Sequence, residues 1–248
     1  MSDSPLVVYE KLSPNYDHPR NHKIDTITIH CMAGNLSVET CGSIFSKYSR
    51  AASSNYGIGT DGRIALYVHE EDRAWTSGNA ANDNRAITIE VANDGGAETG
   101  WHCSDMAMSA LIDLLVDICK RNGIKKLLWK ADKNLIGQVS LQNMTVHRWF
   151  QNKACPGDYL YGKHGWIAEQ VNKRLEDEDM FTYEQFLEYM ARYKAEKAKE
   201  PADDWARNAI AMCIAKGVMV GYPDGFHPQS EIRREEVAQV VANLTAKE

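Results

Sequence analysis

Ala86-Ile87-Thr88-Ile89-Glu90-Val91 is apolar at nearly every position and rich in β-branched residues. That composition predicts a central strand covered on both faces. Only Thr88 and Glu90 interrupt it. Upstream, Asp25-Thr26-Ile27-Thr28-Ile29-His30 alternates polar and apolar residues and reads as a second strand with a histidine at its C-terminal end. Asn55 to Gly59 and Arg63 to Val68 flank Asp61-Gly62, a strong hairpin signal between two β-runs. Helical patterns lie between and after these runs. Ser37 is placed to cap a helix with Val38, Cys41, Ile44, Phe45 and Tyr48 on one face. Ser104 or Asp105 opens another, with Met108, Leu111, Leu114, Leu115 and Ile118 inward and an end near Gly123. Strands interleaved with helices predict an α/β domain: a mixed central sheet flanked by helices.

The 248 residues are 44% hydrophobic and 25% charged, ordinary values for a globular protein. No apolar run approaches the roughly 18 residues that span a bilayer, so membrane insertion is not expected. Met1 to Lys11 has neither a basic start nor an apolar core. No secretory signal is expected there, and a role outside the cytoplasm would need another route out. The six cysteines are scattered without CxxC pairs, which fits a reducing compartment better than a disulfide framework. Cys41 and Cys119 read as buried small hydrophobes.

The formal charge of −6 is concentrated. From Glu176 to Glu248 there are 15 acids and 9 bases, while the preceding part is neutral. The acidic segment argues against nucleic acid as a partner. The break at Glu176-Asp177-Glu178-Asp179 sets the expected domains at 1–178 and 179–248, the second small and all-α.

The chemistry lies in Met144 to Tyr159, M-T-V-H-R-W-F-Q-N-K-A-C-P-G-D-Y. A β-leaning run, Thr145-Val146-His147, delivers a histidine, and a Pro-Gly turn after Cys155 can fold the thiolate back toward it. With His30 these make a His₂Cys set, three donors that leave a fourth tetrahedral position for water, as in a catalytic zinc site. Each histidine alone reads as a surface or satisfied core residue rather than a ligand. Glu90 is costly inside an apolar strand unless paired or functional; beside a metal it suits a general base. Lys153 either offsets the charge of a tetrahedral intermediate or is a solvated loop lysine. Tyr56 either donates a hydrogen bond there or packs in the hairpin.

His30 in T-I-T-I-H-C, Tyr56 in S-S-N-Y-G-I-G-T-D-G, Glu90 in A-I-T-I-E-V and the segment T-V-H-R-W-F-Q-N-K-A-C-P-G together resemble the zinc-dependent N-acetylmuramoyl-L-alanine amidases of type 2. The resemblance runs over roughly Pro5 to Leu175 and is closest to the phage endolysin branch. It implies one catalytic Zn²⁺ on His30, His147 and Cys155, with Glu90, Lys153 and Tyr56 as catalytic residues. The implied reaction cleaves the amide between N-acetylmuramic acid and L-alanine in peptidoglycan. Trp75, in A-W-T-S-G-N, resembles a groove segment that binds substrate, though a core tryptophan fits as well. A muropeptide-recycling amidase and a non-catalytic peptidoglycan-binding protein are the rival readings.

In the tail, the capping-box form of Thr182-Tyr183-Glu184-Gln185 opens a helix with Phe186, Leu187, Tyr189, Met190 and Tyr193 inward. A second helix starts at Asp203 or Asp204. A third runs from Glu231 to Leu244 with Val237, Val240, Val241 and Leu244 inward. The pattern W-A-x-x-A-I-A…G-V-M-V-G-Y-P-D-G-F-H-P…I-R-R-E-E resembles a single surface-layer homology motif, with Arg233 where the family has threonine. The resemblance implies binding to a secondary cell-wall polymer; a helical module of this kind also suits a homodimer. The combined expectation is an enzyme made in the host cytoplasm that reaches the wall of a Gram-positive host after holin-type release.

Overall fold

The computed structural model describes residues 3–179, 183–221, 223 and 225–245. The chain divides into two compact units, Met1–Glu178 and Asp179–Glu248. In order, the first unit holds β1 (Tyr9–Glu10), β2 (Tyr16–Asp17), β3 (Thr26–Cys31), α1 (Val38–Phe45), β4 (Tyr56–Ile58) and β5 (Ile64–Leu66). Then come β6 (Arg73–Ala74), α2 (Ala80–Arg85), β7 (Ala86–Val91), α3 (Asp105–Asn122), β8 (Met144–Thr145) and α4 (Gly157–Asp179). Six strands form a mixed sheet in the order β1-β5-β4-β7-β3-β8, in which only the β4–β5 hairpin is antiparallel. β2 and β6 pair as a separate antiparallel ribbon.

Local sequence accounts for the element ends. The Ser37 hydroxyl accepts from the Thr40 amide at the start of α1, and that of Ser104 accepts from the Ala107 amide at the start of α3. Gly123, at φ +66°, closes α3 with its amide donating to the Cys119 and Lys120 carbonyls. Gly62 takes the positive φ that the β4–β5 turn needs, +79°.

The register of β3 on β7 matters most. Thr28 pairs with Thr88 and His30 with Glu90. Because side chains alternate across a sheet, Ile27, Ile29, Ile87 and Ile89 share one face. They form one core cluster with Leu111, Leu114, Leu115 and Ile118 of α3 and Leu160, Ile167 and Val171 of α4. The opposite face carries Thr28, Thr88, His30 and Glu90. β7 is thus covered on both faces, but only one cover is apolar. The threonines of the polar face are satisfied by hydrogen bonds: Thr28 Oγ1 lies 2.8 Å from Thr145 Oγ1, and the Asn82 amide donates to Thr28 at 3.0 Å. Thr88 Oγ1 lies 2.8 Å from Thr76 Oγ1. Farther along this face, Val38, Cys41 and Phe45 of α1 pack against Ala65 and Tyr67.

The second unit contains α5 (Tyr183–Ala198), α6 (Asp204–Ala215) and α7 (Arg234–Thr245). Thr182 of the expected capping box lies outside the described residues. The helix expected from Glu231 begins at Arg234 instead. The larger correction concerns packing. Phe186, Leu187, Tyr189, Tyr193, Val237, Val241 and Leu244, expected inward, are 44–53% exposed. Among the described residues of this unit, Val218 is the only buried hydrophobic side chain. No described helix is long and apolar enough to cross a membrane.

Candidate active site

β3 delivers His30 on the polar face of the sheet, fully buried. β8 pairs with β3 through Thr28 and Thr145, so two residues further on His147 emerges on the same side. The expected strand through His147 ends at Thr145; the chain then turns into a 3₁₀ segment, His147–Trp149, with the Phe150 amide donating to the His147 carbonyl. That turn starts the loop back toward His147. The Arg148 amide donates to the Cys155 carbonyl at 3.1 Å and its guanidinium to the Ala154 carbonyl at 2.6 Å, pinning the loop ends together. Gly157 has φ +83°, and a Cβ there would lie 2.6 Å from the Gly100 carbonyl oxygen. Only glycine fits the close approach that follows Cys155 and Pro156.

One ligand atom from each of His30, His147 and Cys155 lies within 4.8 Å of the others. Cys155 Sγ is 3.3 Å from His30 Nδ1, and the two imidazole centroids are 5.1 Å apart. Donors bound at about 2.0–2.3 Å to one tetrahedral Zn²⁺ stand roughly 3.3–3.8 Å from each other, so the set fits that ion. The protonation states fit too. Burial lowers the His30 pKa well below the usual histidine value, with His147 and His164 adding to it. Burial and then the Lys153 charge lower that of His147. Both rings are therefore neutral near pH 7, the form that binds a metal. Contact with Cys31 and burial push the Cys155 thiol up, so a bound cation is what would hold it as thiolate.

Glu90 stands beside His30 across the β3–β7 pair, half-buried, and its Oε2 is buried without a hydrogen-bond partner. Burial raises its carboxyl well above the usual range, Cys31 adds to this, and Arg50 opposes it. Glu90, His147, Lys153 and Cys155 line one cleft of about 330 Å³, walled by Leu36, Ile44 and Phe45. A second groove of about 500 Å³ shares His147 and Lys153 and adds Trp75, Gly78, Asn79 and Gln151. Trp75 thus lines a groove beside the cleft, half-buried, with its indole nitrogen unpartnered. Lys153 is exposed at the junction of the two.

Tyr56 is a correction. It pairs with Ile89, whereas Gly57 pairs with Glu90, so Tyr56 faces the apolar side. Its hydroxyl donates to Glu70 Oε1 at 2.6 Å and accepts from the Ser4 amide at 2.9 Å. It does not reach the cleft. Tyr56→Phe is expected to leave turnover unchanged while costing about 1–2 kcal/mol of stability from the lost buried hydrogen bond. Paired kinetics and thermal unfolding check this; a large fall in kcat would return Tyr56 to the site.

Sequence reading missed Cys31 and Arg50, both of which line the cleft. Adjacency to His30 was a usable signal for Cys31; nothing local marks Arg50. The other histidines have separate partners: His102 lies 2.6 Å from Asp94, His18 2.6 Å from Asp72 and His69 2.8 Å from Asp3. Buried His164 bonds to the Leu160 carbonyl through Nδ1 at 2.6 Å.

Two family models match the chain. The S-layer homology domain model matches residues 200–238. No curated protein matches the chain. Among solved structures, the Staphylococcus aureus hydrolase AmiA, in complex with its ligand, is 16% identical, with 67% of this chain and 82% of that chain covered and a TM-score of 0.50. AmpD is 19% identical over 68% of this chain and 99% of its own, with a TM-score of 0.48. The endolysin amidase LysCS from Clostridium intestinale URNW is 16% identical over 67% and 97%, with a TM-score of 0.44. The N-acetylmuramoyl-L-alanine amidase model matches residues 20–158, more than half of the 248-residue chain, a span that holds His30, Glu90, His147, Lys153 and Cys155. The chain belongs to the N-acetylmuramoyl-L-alanine amidase family.

Proposed function

We propose that this amidase is zinc-dependent and acts as an endolysin on the peptidoglycan of a Gram-positive host. The observation that carries the zinc reading is the convergence of His30, His147 and Cys155 ligand atoms on one another, with His147 and Cys155 lining one cleft beside Glu90 and Lys153. These three residues would hold the ion. Zn²⁺, when bound, supplies Lewis acidity, polarising a carbonyl oxygen and making water a stronger acid. Glu90 takes the proton of the attacking water and returns it to the departing L-alanine amine. Lys153 sets its ammonium against the negative charge that develops on the lactyl carbonyl oxygen. The groove at Trp75 orients the substrate by stacking on sugar or peptide. The S-layer homology match favours attachment to a secondary wall polymer, and with it action at the wall over muropeptide recycling inside the cell. Holin-type release from the host cytoplasm is the route this reading requires.

The test is digestion of purified Gram-positive peptidoglycan with and without a chelator. New L-alanine amino termini without new reducing sugars are expected, abolished by chelation and restored by zinc. Undiminished cleavage in chelator would remove the zinc reading, and new reducing ends would remove the assignment of the cleft.

A further inference from the structure

Arg50 ends the 3₁₀ turn Tyr48–Arg50 that follows α1. It is exposed and lines the cleft with Glu90, His147, Lys153 and Cys155. The other seven arginines of the first unit each bond to an acid or a backbone carbonyl. Among the described residues, the Arg50 side chain has neither an ion pair nor a hydrogen bond. The turn that carries it is nonetheless anchored. The Arg50 amide donates to the Lys47 carbonyl at 3.0 Å, and Nδ2 of buried Asn15 donates to the Lys47 and Ala52 carbonyls at 3.0 and 3.3 Å. A guanidinium held on such a turn, with its donors unspent on the protein, is set to take an anion from outside.

Which anion follows from the substrate's chemistry. On the sugar side of the scissile bond the N-acetylated ring is neutral, and the lactyl carboxyl is the acyl group of the amide itself. Negative charge lies on the peptide side. There L-alanine is followed by a D-glutamate joined through its γ-carboxyl, whose α-carboxyl is a free carboxylate in some walls and an amide in others. The cleft, at about 330 Å³, stands at the small end of ligand pockets, so the carboxylate within it is the one nearest the scissile amide. The groove at Trp75 suits the neutral sugar better: its arginine, Arg73, is already paired with Asp17. We propose that Arg50 is a specificity residue that pairs with the α-carboxylate of the second stem residue, the cleft taking the peptide and the Trp75 groove the sugar. The enzyme then prefers stems with a free α-carboxyl to amidated ones. This rests on the cleft being the amidase site.

A pair of soluble substrates tests this: N-acetylmuramoyl-L-alanyl-D-glutamate and its D-isoglutamine counterpart, both capped at the γ-carboxyl as the methylamide so that they differ by a single charge. The unsubstituted full chain is expected to favour the carboxylate by about tenfold in kcat/KM, the size of one charge-assisted hydrogen bond in a cleft open to solvent. Added salt should shrink that preference. Arg50→Gln should bring the ratio of the two substrates to about one, and Arg50→Lys should restore part of it, a point charge in place of a fork. The ratio cancels any change in overall rate that comes through Glu90, on whose carboxyl the Arg50 charge also acts. Equal kcat/KM for both substrates with the unsubstituted chain, or a ratio that Arg50→Gln leaves unchanged, would overturn the proposal while the amidase assignment stands. Cleavage of neither substrate would overturn that assignment and the proposal with it.

Discussion

Glu90→Gln lowers kcat by about 10²–10⁴-fold, the range for loss of a positioned proton-transfer group, while zinc still binds at one ion per chain. The substitution keeps the volume and a hydrogen-bonding head and removes only the basic oxygen. Oε2 of Glu90 has no partner within the protein, so no structural bond is lost. The metal donors come from three other residues. Rate measurement on a muramyl-L-alanine substrate, beside metal analysis of the same sample, separates the two effects. Full retained activity would remove Glu90 from proton transfer. A pH dependence follows with a definite sign. Burial raises the Glu90 carboxyl, and a general base works deprotonated, so activity falls on the acidic side at a higher pH than an exposed glutamate would give. In the variant that acid limb should vanish from the residual rate.

Cys155→Ala is the second large effect. It removes the only anionic donor of the set and leaves two neutral imidazoles. Loss of outer-shell partners alone costs metal sites 10–100-fold in affinity, so loss of this ligand should weaken zinc by more than about 100-fold and abolish turnover at ordinary zinc concentrations. Competition with a chromogenic chelator measures the affinity. Thermal unfolding supplies a check that does not use activity, because an ion that binds only the folded state stabilises it as its concentration rises. The midpoint of the unsubstituted protein should climb with added zinc and that of the variant should not. Equal midpoints for the two proteins across a zinc titration would place the metal elsewhere.

The sequence by itself determined whatever depends on near neighbours along the chain. The alternation in β3, the Asp-Gly hairpin and the serine caps of α1 and α3 were legible because strand period, turn φ and capping are local physics. The donor set was legible for a related reason: His30, His147 and Cys155 are of ligand chemistry, and the Pro-Gly turn after Cys155 announces a return of the chain. The tertiary structure decided what depends on partners distant in sequence. Tyr56 and Glu90 look alike as polar groups in β-runs, and only the register of β4 on β7 sends them to opposite faces of the sheet. Arg50 joins the cleft through the path of the chain after α1, which no local pattern encodes. In α5 and α7 the 3.6-residue period identifies which faces are apolar, but a period specifies a direction around a helix axis. What covers that direction is set by packing, and Phe186, Tyr193, Val237, Val241 and Leu244 of those faces are exposed.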